Sequence, residues 1–172
     1  MKYRALGNTG MMVSEVGLGC EGMIGAGARL THELVEAALD CGMNYFELFC
    51  AEPDVRSNLG TALKSRRADV FIQGHIGVCW RDGQYLRTRE PELVKAGFED
   101  LMARRDTPYV DVGMLHYVDN QADYDTVFKG WMVEYAQEQK RKGRARHIGL
   151  SSHNPEIALQ AVKSGLIDVL LF

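Results

Sequence analysis

Apolar and polar positions along the chain alternate between two rhythms. Over 32–41, Leu34, Val35, Ala38 and Leu39 recur at the three- and four-residue spacing of an amphipathic helix, with Thr31 placed to cap its start and Gly42 to end it. The apolar run over 43–49 then predicts a strand. The pair recurs as a helix over 54–64, with Val55, Leu59, Ala62 and Leu63 on one face, and a strand over 70–78. It continues as a helix over 90–104 opened by Pro91, a strand over 109–117, a helix over 123–142 and a strand over 147–151. A helix over 154–164, ended by Gly165, precedes a final strand over 166–172. With 16–19 as the first strand, six strands are joined by five crossover helices. The strands read as continuous apolar runs, the pattern of a parallel sheet covered by helices.

Composition narrows the class. The 172 residues are 46% hydrophobic and 25% charged, in proportion for one globular domain over 1–172. The net charge of -3 supplies no broad positive field, so no nucleic-acid partner is expected. The cluster Lys140-Arg141-Lys142 falls in the last turn of a helix, where cations complement the dipole. No apolar run approaches the roughly 20 residues that span a bilayer, and no apolar stretch follows the basic start Met1-Lys2-Tyr3-Arg4. A cytoplasmic location without membrane contact is the expectation. Cys20, Cys41, Cys50 and Cys79 lack paired metal-binding or redox spacing and read as reduced structural thiols.

Gly17-Leu18-Gly19-Cys20-Glu21-Gly22 matches the GxGxxG pattern of a dinucleotide-binding turn, with Asp40 at a plausible distance downstream. That mechanism needs a helix to begin at once so that its N-terminus faces the pyrophosphate. Met23-Ile24-Gly25-Ala26-Gly27-Ala28 follows instead. These glycines are therefore expected to shape a barrel strand and the loop above it.

Four segments, in order and spacing, resemble the aldo/keto reductases. They are Met1-Lys2-Tyr3-Arg4-Ala5-Leu6-Gly7-Asn8-Thr9-Gly10 continuing to Val16-Gly17-Leu18-Gly19; Asn44-Tyr45-Phe46-Glu47 through Leu59-Gly60-Thr61-Ala62-Leu63; Tyr109 through His116; and His147-Ile148-Gly149-Leu150-Ser151-Ser152-His153-Asn154. The resemblance implies a TIM-type (β/α)8 barrel, of which about six βα units are present here, preceded by a β-hairpin across the barrel floor. It also implies reduction of a small-molecule carbonyl by NADP or NAD in reduced form. The family's tyrosine donates the proton, its lysine and aspartate tune that tyrosine, and its histidine orients the carbonyl. By resemblance His116 is the histidine and Glu47 stands for the aspartate. Glu52 falls where the tyrosine belongs and His75 where the lysine belongs. Ser151 and Ser152 match the pair that holds the cofactor carboxamide.

A carboxyl group of ordinary pKa is ionised at pH 7, so Glu52 acts as an acid only where burial or the nearby Glu47 raises its pKa. An alternative use of the same residues is a metal shell. Glu47, Glu52, His75 and His116, with His153 as a further member, offer ligands suited to Zn²⁺, Mn²⁺ or Fe²⁺ at one mouth of the sheet. Trp80, Arg81 and Tyr85, in the long loop after the third strand, are candidates for a substrate wall. A third alternative is a partial barrel that acts only as an interaction module. A complete barrel takes about 250 residues, and the apolar run Val169-Leu170-Leu171-Phe172 forms the sixth strand. The expectation is a barrel truncated after strand 6, belonging to a longer protein or self-associating through its open edge.

Overall fold

The computed structural model describes residues 1–172. An antiparallel hairpin of β1 (Tyr3–Ala5) and β2 (Met12–Ser14) comes first, with Tyr3 opposite Ser14. The Asn44 side chain fastens it to the sheet, accepting from Ser14 N–H (2.7 Å) and donating to Met12 O (2.9 Å). Then follow β3 (Leu18–Gly19), α1 (Gly27–Asp40), β4 (Tyr45–Leu48), α2 (Pro53–Leu63) and β5 (Phe71–Ile76). A second hairpin, β6 (Val78–Arg81) and β7 (Gln84–Arg87), stands on the exit of β5. The chain continues through α3 (Pro91–Arg104), β8 (Val110–Leu115), α4 (Gln121–Phe128), α5 (Trp131–Arg141), β9 (Ala145–Ser151), α6 (Pro155–Lys163) and β10 (Val169–Leu171).

Six strands form one parallel sheet in the order β10-β9-β8-β5-β4-β3, so that spatial neighbours follow chain order. This is the half-barrel expected from six βα units. Its main core lies between sheet and helices, where Phe46, Leu48, Ile72 and Ile76 meet Leu59, Leu63, Phe98 and Leu101, all fully buried. Val112, Met114 and Val169 form a smaller cluster with Met11 from the first hairpin. No helix is long and apolar enough to cross a membrane.

The elements depart from the sequence pattern in three places. Helix α1 begins at Gly27, so Thr31 lies inside it with its hydroxyl buried and unpartnered, and caps nothing. The helix expected over 123–142 is two helices, because the chain breaks at Gly130, where a Cβ would sit 2.3 Å from Thr126 O. The strand expected over 70–78 stops at Ile76, since Gly77, at φ 107°, redirects the backbone into the β6–β7 hairpin. The hairpin turns at Asp82-Gly83, both with positive φ, the left-handed pair that matches strand twist. The Gly17–Gly22 glycines do shape a strand and its loop: β3 runs into a 3-10 turn, Cys20–Met23, and not into a helix facing a pyrophosphate.

Candidate active site

A cavity of about 710 Å³ opens at the C-terminal ends of the strands. Parallel register brings the polar residues there together. Glu47 is paired with Gln73, and His75 with Met114, so Glu47, His75 and, just beyond β8, His116 each stand two positions further along than the last and form a diagonal across the strand ends. All six residues implicated by the sequence (Glu47, Glu52, His75, His116, Ser151 and Ser152) line this cavity.

Three of the six, with one further residue, form a continuous file of close polar contacts. Glu47 Oε1 lies 2.9 Å from His75 Nε2, His75 Nδ1 lies 2.7 Å from His116 Nδ1, and His116 Nε2 lies 2.7 Å from Tyr85 Oη. His75 is 1% exposed and His116 is 7% exposed. Burial, followed by the neighbouring His75, Arg89, Arg87 and His153, pushes the His116 pKa down to about 2, so its ring is neutral at ordinary pH. Neutrality limits His116 to one N–H. The file has two hands: Tyr85 O–H donates to His116 Nε2 and His116 Nδ1–H to His75 Nδ1, or His75 Nδ1–H donates to His116 Nδ1 and His116 Nε2–H to Tyr85 Oη. Gln73 Oε1 accepts from Tyr45 O–H (2.8 Å), which turns the amide Nε2 toward His75 Nε2 at 3.1 Å as a donor. Phe49 stacks on His116, with ring centroids 5.8 Å apart, and meets Tyr85 edge-on at 6.1 Å.

Glu52 is the residue preceding α2 and stands apart from this file. Its Oε2 is buried with no hydrogen-bond partner, an acceptor facing the cavity wall. Ser151 Oγ accepts from Tyr117 N–H (2.8 Å), which leaves its hydroxyl hydrogen to donate. Ser152 is already committed, donating to Asp119 Oδ1 (3.1 Å) and accepting from Asn154 N–H (3.2 Å). His153 pairs with Asp119 Oδ2 (3.0 Å) at the rim. Trp80 and Tyr85 line the cavity as expected of a wall, whereas Arg81 does not. Cys50 also lines it, but burial pushes its thiol up to about 12, away from nucleophilic use.

For the metal-shell alternative, the arrangement brings no ready ligand group together. No group of three or more His, Cys, Asp or Glu side chains is disposed to hold an ion. The facing Nδ1 atoms of His75 and His116 are spent on each other, His153 is held by Asp119, and Glu52 is outside the file.

The cavity residue least marked in the sequence is Tyr85. Its signal was legible in Arg81-Asp82-Gly83-Gln84, where Asp-Gly between two polar-apolar runs marks a tight hairpin. That hairpin pairs Trp80 with Tyr85 and carries the phenol to the cavity.

Fold and site together define a six-stranded (β/α) half-barrel with a polar cavity at the strand C-termini, and comparison with known proteins places it in a family. The model of the Aldo/keto reductase family matches residues 27–171, and the chain belongs to that family. It is 27% identical over 176 residues to the uncharacterized oxidoreductase YqkF of Bacillus subtilis strain 168, covering 99% of this chain and 56% of that protein. It is 26% identical over 183 residues to the L-galactose dehydrogenase of Arabidopsis thaliana, covering 99% of this chain and 56% of that protein. Among solved structures, the holo form of aldo-keto reductase AKR11C1 from Bacillus halodurans superimposes with a TM-score of 0.82 at 27% identity, over 95% of this chain and 54% of that one. The chain thus spans about half the length of the relatives it matches.

Proposed function

We propose that the cavity supports interconversion of a small carbonyl compound and its alcohol with NADP or NAD. The observation that carries this reading is the Glu47–His75–His116 file at the ends of three adjacent strands, inside a cavity large enough for a ring system and a small substrate together. The donor set offers a nicotinamide carboxamide one partner: Ser151 has a free hydroxyl hydrogen for its carbonyl. Ser152, whose hydroxyl is occupied, positions the loop through Asp119 and Asn154. When bound, the nicotinamide supplies or accepts the hydride.

The chain's own residues bind and orient the oxygen substrate. Tyr85 and the apolar wall of Phe49 and Trp80 border it at the strand ends, and His75 and Tyr85 between them take both ring nitrogens of His116 and fix that ring. Glu52 occupies the family's tyrosine position and contributes a carboxyl group that borders the same space. Fluorescence titration with NADPH and NADH tests the reading. Saturable binding in the micromolar range, weakened by Ser151→Ala, is the expected result. Absence of binding of either cofactor up to millimolar concentration refutes it.

A further inference from the structure

Neither Glu52 nor any residue at the family's lysine position supplies a phenol, yet a phenol reaches the site from elsewhere. We infer that Tyr85, carried in by the β6–β7 hairpin, is the catalytic residue that exchanges a proton with the reacting oxygen, and that His116, His75 and Glu47 relay that proton to and from solvent. The inference rests on the carbonyl–alcohol reading above and adds to it a proton donor in a new place.

The geometry carries it. Tyr85 Oη is 2.7 Å from His116 Nε2 and lines the cavity, while the far end of the relay, Glu47, also lines the cavity with 22% of its side chain exposed. His116 is hydrogen-bonded to both Tyr85 and His75 at 2.7 Å, and the Glu47 carboxylate lies in contact with His75 Nε2 at 2.9 Å. The hairpin is held in place: Arg87 Nη1 donates to Tyr117 O (2.8 Å), and Arg89 Nη2 donates to His116 O (2.8 Å). Arg87 and Arg89 are also the charges that oppose the upward pull of burial on the Tyr85 phenol, with Tyr117 and Cys50 acting weakly in the other direction.

Atoms and electrons balance in both directions. In reduction, a hydride from a reduced nicotinamide dinucleotide adds to the carbonyl carbon, and the C=O π pair moves to oxygen. Oxygen takes the Tyr85 Oη proton, and Oη takes one from His116 Nε2. His116 Nδ1 takes one from His75 Nδ1, and His75 Nε2 takes one from the Glu47 carboxylic acid, which is left as carboxylate. Oxidation runs the same shifts in reverse, and the alcohol proton ends on Glu47. The two hands of the file therefore serve the two directions. With Tyr85 O–H turned to His116, the phenol oxygen offers a lone pair to an alcohol. With His116 Nε2–H turned to Tyr85, the phenol offers O–H to a carbonyl.

The test compares wild type, Tyr85→Phe and Glu52→Gln, each checked for folding by circular dichroism. Side-chain ¹⁵N NMR of histidine-labelled protein, without cofactor, reads the relay: Tyr85→Phe is expected to shift the His116 Nε2 resonance, and no shift overturns the inference. NADPH-dependent reduction of 4-nitrobenzaldehyde reads the chemistry. The expected result is a loss of about 10²- to 10⁴-fold in kcat for Tyr85→Phe, with the Kd for NADPH unchanged. Retained turnover in Tyr85→Phe, or abolition only in Glu52→Gln, overturns the inference and leaves the carbonyl–alcohol reading standing. Absence of both NADPH binding and turnover in wild type overturns that reading and the inference together. Replacement of Tyr85 by a fluorinated tyrosine of lower phenol pKa is expected to move the alkaline limb of the kcat profile to lower pH. An unmoved limb also overturns the inference.

Discussion

Arg89 and Asp123 meet side by side, Nε to Oδ1 and Nη2 to Oδ2 at 2.8 Å each, and the same guanidinium donates to the His116 carbonyl oxygen. The pair ties the residues after β7 to the first turn of α4 and locks both onto the strand end that bears the central histidine. Neither side chain is more than 16% exposed, so the contact is a partly desolvated, bidentate ion pair and not a screened surface one.

Asp123→Ala should therefore leave a mostly buried guanidinium without its counter-charge. The expected cost is about 2–3 kcal/mol, read as a fall in the urea midpoint, and Arg87 loses its 3.1 Å contact to the same carboxylate. An unchanged midpoint would mean that the hairpin is held by its backbone contacts alone.

Stability should depend on pH through His116. Its folded pKa lies near 2 against an ordinary 6.5, so below pH 6.5 the unfolded chain takes up a proton that the folded chain refuses. The contribution is fully present above pH 6.5 and is lost as pH falls toward 2, at up to about 1.4 kcal/mol per pH unit. Urea unfolding at pH 6.5 and pH 5 checks this. Wild type should lose about 2 kcal/mol more over that interval than His116→Gln.

Gly97 in α3 lies against the start of β6, and a Cβ there would sit 2.2 Å from Val78 O and 3.0 Å from Cys79 Cβ. Because the nearest atom is backbone, it cannot swing aside. Gly97→Ala should cost about 1–3 kcal/mol despite the better helix propensity of alanine. A neutral or stabilising effect in thermal unfolding would show that hairpin and helix slide apart easily.

Arg56, 1% exposed, crosses the core boundary to donate to Cys50 O (3.1 Å), Gly97 O (2.9 Å) and Asp100 Oδ2 (2.8 Å). Burial lowers its pKa and Asp100 opposes the fall. Arg56→Met keeps the bulk but strips two buried carbonyls of their donor. A loss of about 2–4 kcal/mol is expected, together with weaker NADPH binding, because Cys50 lines the cavity.

The order of helices and strands was legible because each βα unit carries its own periodicity, and the parallel sheet was legible because strands covered on both faces are apolar throughout. Placement of Glu47, Glu52, His75, His116, Ser151 and Ser152 at one mouth also followed, since parallel strands all end on the same side. What tertiary structure decided was which of these residues touch. Strand register, absent from any local pattern, set the His75 and His116 nitrogens face to face and left Glu52 aside. Tyr85 became a member of the site only because the left-handed turn at Asp82-Gly83 folds the loop back and the Arg89–Asp123 pair holds it there. A hydrogen bond joining residues 31 positions apart depends on where two separate elements stop, and one-dimensional spacing carries no record of that distance.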